Sequence, residues 1–276
     1  MIAALPRLHA VTDDRVVGEG RLAERAERLA AVLGAELAVQ LRTRTLEGEA
    51  FLRLAREVQA TLAPHGSWLV VNDRADVASA AGARAVVSGR AGMGVLDLRR
   101  ATPGLLVGRS VHDAAEARAA AAEGADFLIA GAVYATPSHP GAAPAGLAVV
   151  RDAAATGLPV IAIGGMTAER TPEVLKAGAS GVAAIRALWD AADPAAAARG
   201  FLAALGPRDT LALTVNGEPA EVPPGTTLDA LLARLGLDPR AVVVEHNHRI
   251  VRREGLAAAA LADGDAVEIV HFVGGG

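Results

Sequence analysis

Residues 159–166 read Pro159-Val160-Ile161-Ala162-Ile163-Gly164-Gly165-Met166. A short run of branched apolar residues stopped at once by two glycines reads as a buried parallel strand whose carboxyl end opens onto a loop. Glycine there lets backbone N–H groups approach an anionic ligand; the plainer reading is a chain turn. The same unit recurs on either side. Strand-like runs at Leu8 to Val11, Leu37 to Leu41, Trp68 to Val71, Ala85 to Val87, Leu105 to Val107, Phe127 to Ala130 and Gly181 to Ile185 complete a set of eight. They alternate with longer Ala/Leu/Arg stretches of helical period, and several end in polar residues such as Thr12-Asp13-Asp14, Arg42-Thr43-Arg44, Asn72-Asp73-Arg74 and Gly108-Arg109-Ser110. The pattern predicts an α/β fold, a closed (β/α)8 TIM barrel with its site on the carboxyl face of the strands. The fourth run is short and flanked by glycine, which leaves an open doubly wound sheet as the alternative.

Length and composition agree with this frame. The 276 residues suit a barrel of residues 1–205, a linker over 206–210 and a small second domain over 211–276. Lys+Arg 27 against Asp+Glu 31 gives a net charge of -4, which argues against a nucleic-acid groove and for small organic ligands. There is no cysteine, so sulfur chemistry in this protein must use a group other than a side chain. The first residues, Met1 to Arg7, do not read as a signal peptide, and no apolar run approaches a membrane span, so a cytoplasmic location is expected. A homo-oligomer is compatible with the sequence.

After a helical stretch over Pro194 to Leu205 and the Gly206-Pro207-Arg208-Asp209 linker, the texture changes. Strand Leu211 to Val215, Asn216-Gly217 and strand Ala220 to Val222 read as a hairpin, because Asn-Gly suits the left-handed turn that joins two strands. A helix over Leu228 to Leu235 and strands at Val242 to Glu245 and Val267 to Phe272 follow, before the chain stops at Val273-Gly274-Gly275-Gly276. The order matches a ubiquitin-like β-grasp. His246, His248 and His271 lack a cysteine or a third well-placed ligand, so surface histidines are the better reading than a metal site.

This segment resembles the ThiS sulfur carriers in Val215-Asn216-Gly217-Glu218, Pro224-Gly225-Thr226-Thr227-Leu228, Leu235-Gly236-Leu237, Asp263-Gly264-Asp265 and Glu268 to Gly276. The resemblance implies that the carboxylate of Gly276, presented on Gly275, is activated by a ThiF-type adenylating enzyme. It then becomes a thiocarboxylate and donates sulfur to thiazole synthase.

The barrel resembles the thiamin phosphate synthase/TenI superfamily in Leu8-His9-Ala10-Val11-Thr12-Asp13-Asp14, Val39-Gln40-Leu41-Arg42, Val71-Asn72-Asp73-Arg74, Gly108-Arg109-Ser110-Val111-His112, Thr136-Pro137-Ser138 and Pro159 to Met166. Barrels of this class often hold phosphate after the seventh and eighth strands, which points to Gly164, Gly165, Ile185 and Arg186. The synthase branch joins a pyrimidine pyrophosphate to a thiazole phosphate, with Mg²⁺ between an Asp in Asn-Asp-Arg and a second Asp in Val-His-Leu-Gly-Gln-x-Asp. Asp73 fills the first position, but the second motif reads Val86-Val87-Ser88-Gly89-Arg90-Ala91-Gly92, and Arg44, Thr136-Pro137-Ser138-His139 and Arg186 depart from the synthase pattern too. Gly108-Arg109-Ser110-Val111-His112 resembles the tautomerase branch, which aromatises the thiazole carboxylate phosphate made by thiazole synthase.

The expectation from the sequence is therefore a thiazole tautomerase that needs no cofactor. His112 would be its general acid/base, Arg42 or Arg44 would face the substrate carboxylate, and Gln40, Asn72 and His139 would line the substrate site. His112 as a solvent-exposed residue at a helix start is the alternative for that side chain. The alternatives for the whole are a thiamin phosphate synthase fused to the carrier, with Asp73 on Mg²⁺, or a non-catalytic barrel scaffold.

Overall fold

The computed structural model describes residues 5–137, 141, 143–208 and 210–271, which excludes His139, Gly275 and Gly276. Two compact units divide between Gly206 and Pro207.

In the first unit eight parallel strands close into a barrel in sequence order, β1 Leu8–Val11, β2 Leu37–Leu41, β3 Trp68–Asn72, β4 Ala85–Ser88, β5 Leu106–Val111, β6 Phe127–Ala130, β7 Val160–Ile163 and β8 Gly181–Ala184. The pairing of β1 with β8, Leu8 against Val182 through Ala10 against Ala184, shuts the sheet and removes the open-sheet alternative. Buried on both faces, the first three strands are near-continuous apolar runs rather than alternating, as parallel sheets require, interrupted only by His9, Gln40 and Asn72. The covering helices are amphipathic: Leu22–Leu33 buries Leu22, Ala26, Leu29, Ala30 and Leu33, and Gly48–Leu62 buries Phe51, Ala55, Val58 and Leu62. Those spacings place one apolar stripe on the sheet.

The fifth strand is longer than the sequence suggests. Gly108, Arg109, Ser110 and Val111 belong to β5 itself rather than to the loop after it. Glycine at 108 has a packing reason, since a Cβ there would lie 2.5 Å from the Phe127 ring and 2.9 Å from Val87. At the β1 end the Trp189 indole donates to the Val11 carbonyl at 2.7 Å, tying the segment after β8 back to the first strand.

The second unit is a five-stranded sheet in the order β10-β9-β13-β11-β12, with β9 Leu211–Val215, β10 Glu218–Val222, β11 Val242–His246, β12 Arg249–Val251 and β13 Ala266–His271. The central β13–β9 pair is parallel and the rest are antiparallel. The helix Leu228–Arg234 packs Leu228, Leu231 and Leu232 against Leu213, Val222, Val244, Val267 and Ile269, giving the β-grasp core. Asn216 (φ 52) and Gly217 (φ 80) make the expected hairpin turn. β12 is a strand that the sequence reading missed. It returns through Asn247 (φ 49) and His248 (φ 63), a left-handed pair with no glycine to announce it.

Candidate active site

The carboxyl ends of the barrel strands surround a cavity of about 1020 Å³. Its walls include Gln40, Arg42, Arg44, Asn72, Asp73, Arg90, Gly92, Ser110, His112, Gly164, Gly165, Arg170, Ile185 and Arg186. The mouth therefore gathers every predicted barrel residue within the described part of the chain. Five arginines face it against one aspartate, in a protein whose net charge is -4. Such a concentration of one sign in a concave site attracts polyanions.

One rim is built from backbone. Gly164 (φ +102) and Gly165 (φ +62) turn the chain out of β7; a Cβ on Gly164 would lie 2.6 Å from Ala132 Cβ, and one on Gly165 would lie 2.7 Å from the Ala135 carbonyl. Both the conformation and the close approach of the loop after β6 demand glycine, and the result is exposed peptide groups at the cavity wall. Arg170 braces this loop by donating to the Gly165 carbonyl and lies 4.5 Å from the Tyr134 ring centre. Burial and the Glu173 carboxylate push the Tyr134 hydroxyl up to about 12, so it remains protonated and donates to Glu173 at 2.5 Å. Ile185 and Arg186 complete the rim after β8.

The other rim, over β2 to β4, is built from side chains. The guanidinium groups of Arg42 and Arg44, like that of Arg186 on the first rim, make no hydrogen bond or ion pair among the described residues. Thr12 and Arg42 exchange two 2.8 Å hydrogen bonds, between the Thr12 hydroxyl and the Arg42 peptide, while Asp14 accepts the Arg44 N–H at 2.6 Å; these contacts shape the loop after β2. Asp73, with φ 58, accepts the Gly89 N–H at 2.8 Å. Arg109 reaches from β5 to Ser88 Oγ at 2.6 Å and to the Met93 carbonyl at 3.2 Å, holding the same 88–93 loop from beneath. Glu116 accepts from Arg90 Nε at 2.9 Å, from the His112 N–H at 2.8 Å and faces His112 Nδ1 at 2.9 Å. Burial alone would raise the Glu116 carboxyl, but the hydrogen bonds from His112 and Arg90 outweigh it and hold it below the usual carboxylate range. The Glu116 contacts, together with Asp113 capping the helix Ala114–Ala122, fix where His112 sits; its side chain is 41% exposed.

Between the rims runs a buried polar floor. His9 Nδ1 lies 3.3 Å from Gln40 Oε1, and Gln40 Nε2 donates to Asn72 Oδ1 at 2.8 Å. Complete burial lowers His9 to about 4 despite its bond to Gln40, so the ring is neutral at physiological pH. His9 thus belongs to the barrel interior, as its place within the first strand suggests.

The Mg²⁺ that the synthase resemblance implies does not fit these donors. Gly92 offers no carboxylate, and Asp73 Oδ1 stands 2.4 Å from where a Cβ at that position would be, so Asp73 as it is placed fills the room beside it. Among the described residues no group of three or more His, Cys, Asp or Glu is placed to share a metal ion. In the second unit His246 Nε2 is 2.7 Å from Asp265 and braces a turn, while His248 sits in the β11–β12 hairpin.

Comparison with known proteins settles the lineage. Residues 8–188 match the family model described as thiamine monophosphate synthase. The chain belongs to that family. A thiamine-phosphate synthase of Methanoculleus marisnigri is 43% identical over 195 residues, covering 70% of this chain and 92% of the relative. The bifunctional protein ThiM/ThiE of Symbiobacterium thermophilum is 45% identical over 167 residues, covering 59% of this chain and 35% of the relative. A thiamine phosphate pyrophosphorylase from Pyrococcus furiosus superposes with TM-score 0.65 at 29% identity, covering 72% of this chain and 95% of that one. Residues 213–276 match the ThiS family, so the second unit is a ThiS domain, and it implies sulfur-transfer partners.

These findings overturn the expectation of a thiazole tautomerase, because the relatives of this synthase-family barrel carry synthase names. The physical reason lies in β5. Since Gly108 to Val111 are strand, the barrel delivers whatever residue follows Val111 to the mouth, and a histidine at position 112 does not distinguish an isomerase from a transferase. Arg90 is the residue that the sequence reading undervalued. It was visible as a departure from the synthase pattern, but its place on the rim was not.

Proposed function

We propose that the barrel is a thiamine-phosphate synthase and that the ThiS domain is a sulfur carrier serving the same pathway. The observation that carries the first part is the 43% identity over 195 residues with a thiamine-phosphate synthase. The two-rimmed anionic site supports it. The reaction has two phosphorylated substrates, and this mouth offers a backbone rim at Gly164, Gly165 and Ile185 for a phosphate monoester and an arginine rim at Arg42 and Arg44 for a diphosphate. Gln40 and Asn72 present amide edges to a heteroaromatic ring from the floor.

In the proposed reaction the bond between the pyrimidine methylene carbon and the diphosphate oxygen breaks, and the electron pair leaves with pyrophosphate. The thiazole ring nitrogen supplies the pair for the new carbon–nitrogen bond. The chain's contribution is to hold both substrates and to favour the charge that gathers on the departing diphosphate. The carrier part rests on the ThiS match: Gly276 would be adenylated by a ThiF-type enzyme, converted to the thiocarboxylate, and used by thiazole synthase.

The test is direct. Purified full-length protein is incubated with the pyrimidine pyrophosphate and the thiazole phosphate, and both released pyrophosphate and thiamin phosphate are measured, with Mg²⁺ and with chelator. Equal formation of the two products supports the synthase. Absence of both under every condition refutes it. Replacement of one terminal oxygen by sulfur, seen by intact-mass spectrometry after incubation with an adenylating enzyme, ATP and a sulfur donor, tests the carrier.

A further inference from the structure

We propose that the diphosphate at this mouth is neutralised by arginine rather than by a divalent cation, with Arg90 supplying charge at the β4 rim and Asp73 acting as a loop anchor instead of a metal ligand. The inference deepens the synthase reading and rests on it for the identity of the ligand as a diphosphate.

Against the Gln-x-Asp ending of the synthase-like fourth strand, Arg90 adds one positive charge and Gly92 removes one negative. The rim therefore gains the two charges that a dication would have supplied. Geometry agrees with the count. The single remaining carboxylate, Asp73, spends an oxygen on the Gly89 N–H at 2.8 Å, and that oxygen fills the space beside Gly92. Mg²⁺ is usually held by one or two carboxylates together with substrate phosphates and water, and this rim offers a single carboxylate with one oxygen already turned onto the Gly89 N–H.

Arg90, in contrast, is built in. Glu116 takes its Nε and one amino group, which orients the fork and leaves the other amino group unbound by Glu116. Arg109 holds the loop beneath it through Ser88 and the Met93 carbonyl. Arg42 and Arg44 stand two strands away on the same rim, so cations flank the end of β3 from both sides. Arginine clamps and metal ions stabilise a departing phosphoryl oxygen by the same electrostatics, and the planar guanidinium adds paired hydrogen bonds. Glu116 is the acidic group in direct contact with Arg90, and it offsets part of that charge. Arg42 and Arg44 carry no such partner among the described residues.

Inorganic pyrophosphate binding to the full-length protein, followed by isothermal titration calorimetry in chelator and again in Mg²⁺, tests this without turnover. Wild type binds in chelator, and Mg²⁺ changes its Kd by less than about threefold. Arg90→Gln weakens binding in chelator about tenfold, the size expected for a charge-assisted contact. The double variant R90Q/G92D acquires dependence on Mg²⁺. Thermal melting confirms that each variant is folded, and if the double variant does not fold, R90Q alone decides.

Wild-type binding that requires Mg²⁺, no binding under either condition, or R90Q binding like wild type in chelator overturns the proposal. Binding in chelator without synthase turnover refutes the synthase reading and leaves the arginine clamp standing. Turnover that demands Mg²⁺ does the reverse.

Discussion

The two rims of the barrel mouth are built by opposite means. Over β7 and β8 the chain exposes its own peptide groups, and glycine is compulsory at 164 and 165 because φ is positive and a neighbouring loop leaves no room for a Cβ. Over β2 to β4 the backbone is ordinary apart from Asp73, and arginine side chains furnish the positive charge. A backbone rim is tied to the fold and changes little without breaking it. A side-chain rim can lose a carboxylate at one position, gain an arginine at another and keep the same barrel. The difference teaches where to look for chemistry that has drifted from its family: on the side-chain rim.

The sharpest way to break the comparison is Gly165→Val. A branched side chain at φ +62, with its Cβ 2.7 Å from the Ala135 carbonyl, should cost about 3 kcal/mol of barrel stability. It should also lower affinity for inorganic phosphate about a hundredfold or more, since the loop must move. Both tryptophans, Trp68 and Trp189, belong to the barrel, so their fluorescence reports its unfolding alone. Phosphate affinity within threefold of wild type would show that the backbone rim is not the monophosphate site.

The floor shared by both rims gives the next effect. His9 is neutral in the fold with its pKa near 4 against 6.5 when unfolded. The unfolded chain therefore takes up a proton below pH 6.5 that the folded barrel refuses. The stability is fully present above pH 6.5 and is lost as pH falls toward 4, by about 3 kcal/mol in total. His9→Asn removes this part of the acid sensitivity in denaturant titrations read by tryptophan fluorescence. If wild type and variant lose stability in parallel between pH 7 and 4, another group is responsible.

Arg44→Gln sharpens the contrast with a smaller change. Pyrophosphate affinity falls about tenfold while affinity for a phosphate monoester stays within about twofold, because only the side-chain rim is touched. Smallest of all, wild-type pyrophosphate binding weakens more steeply with added salt than monophosphate binding does, by roughly one further charge in the slope. Equal losses for both ligands would merge the rims into a single site.

The same distinction explains what was legible in the sequence. All eight barrel strands were readable because each is a buried apolar run with a glycine or polar stop, and Gly164-Gly165 announced the backbone rim by residue type alone. Strand ends were less visible. β5 continues through Gly108 because Phe127 packs where a side chain would be, and that partner is distant in sequence. β12 escaped because its turn uses Asn247 and His248 in the left-handed region without glycine.

Position at the mouth was legible for His112, Arg42 and Arg44. Pairing was not: nothing in the order of residues says that Glu116 would tie His112 and Arg90 together, or that Asp73 would turn onto Gly89. The expectation of a tautomerase rested on a five-residue match and on departures from the synthase motifs, and relatives that are named as synthases overturn it.

Gly108, on β5, is the far end of a line of dependence that reaches the active-site floor. The Phe127 ring fits only because position 108 has no side chain, and that ring lies 6.1 Å from the His9 imidazole, whose dryness keeps it uncharged. A lineage that acquired alanine at 108 would have to surrender the phenyl ring at 127, admit water beside His9 and retune the Gln40–Asn72 amide pair. Those five positions therefore pack as one unit, anchored by a glycine that lines no part of the cavity itself.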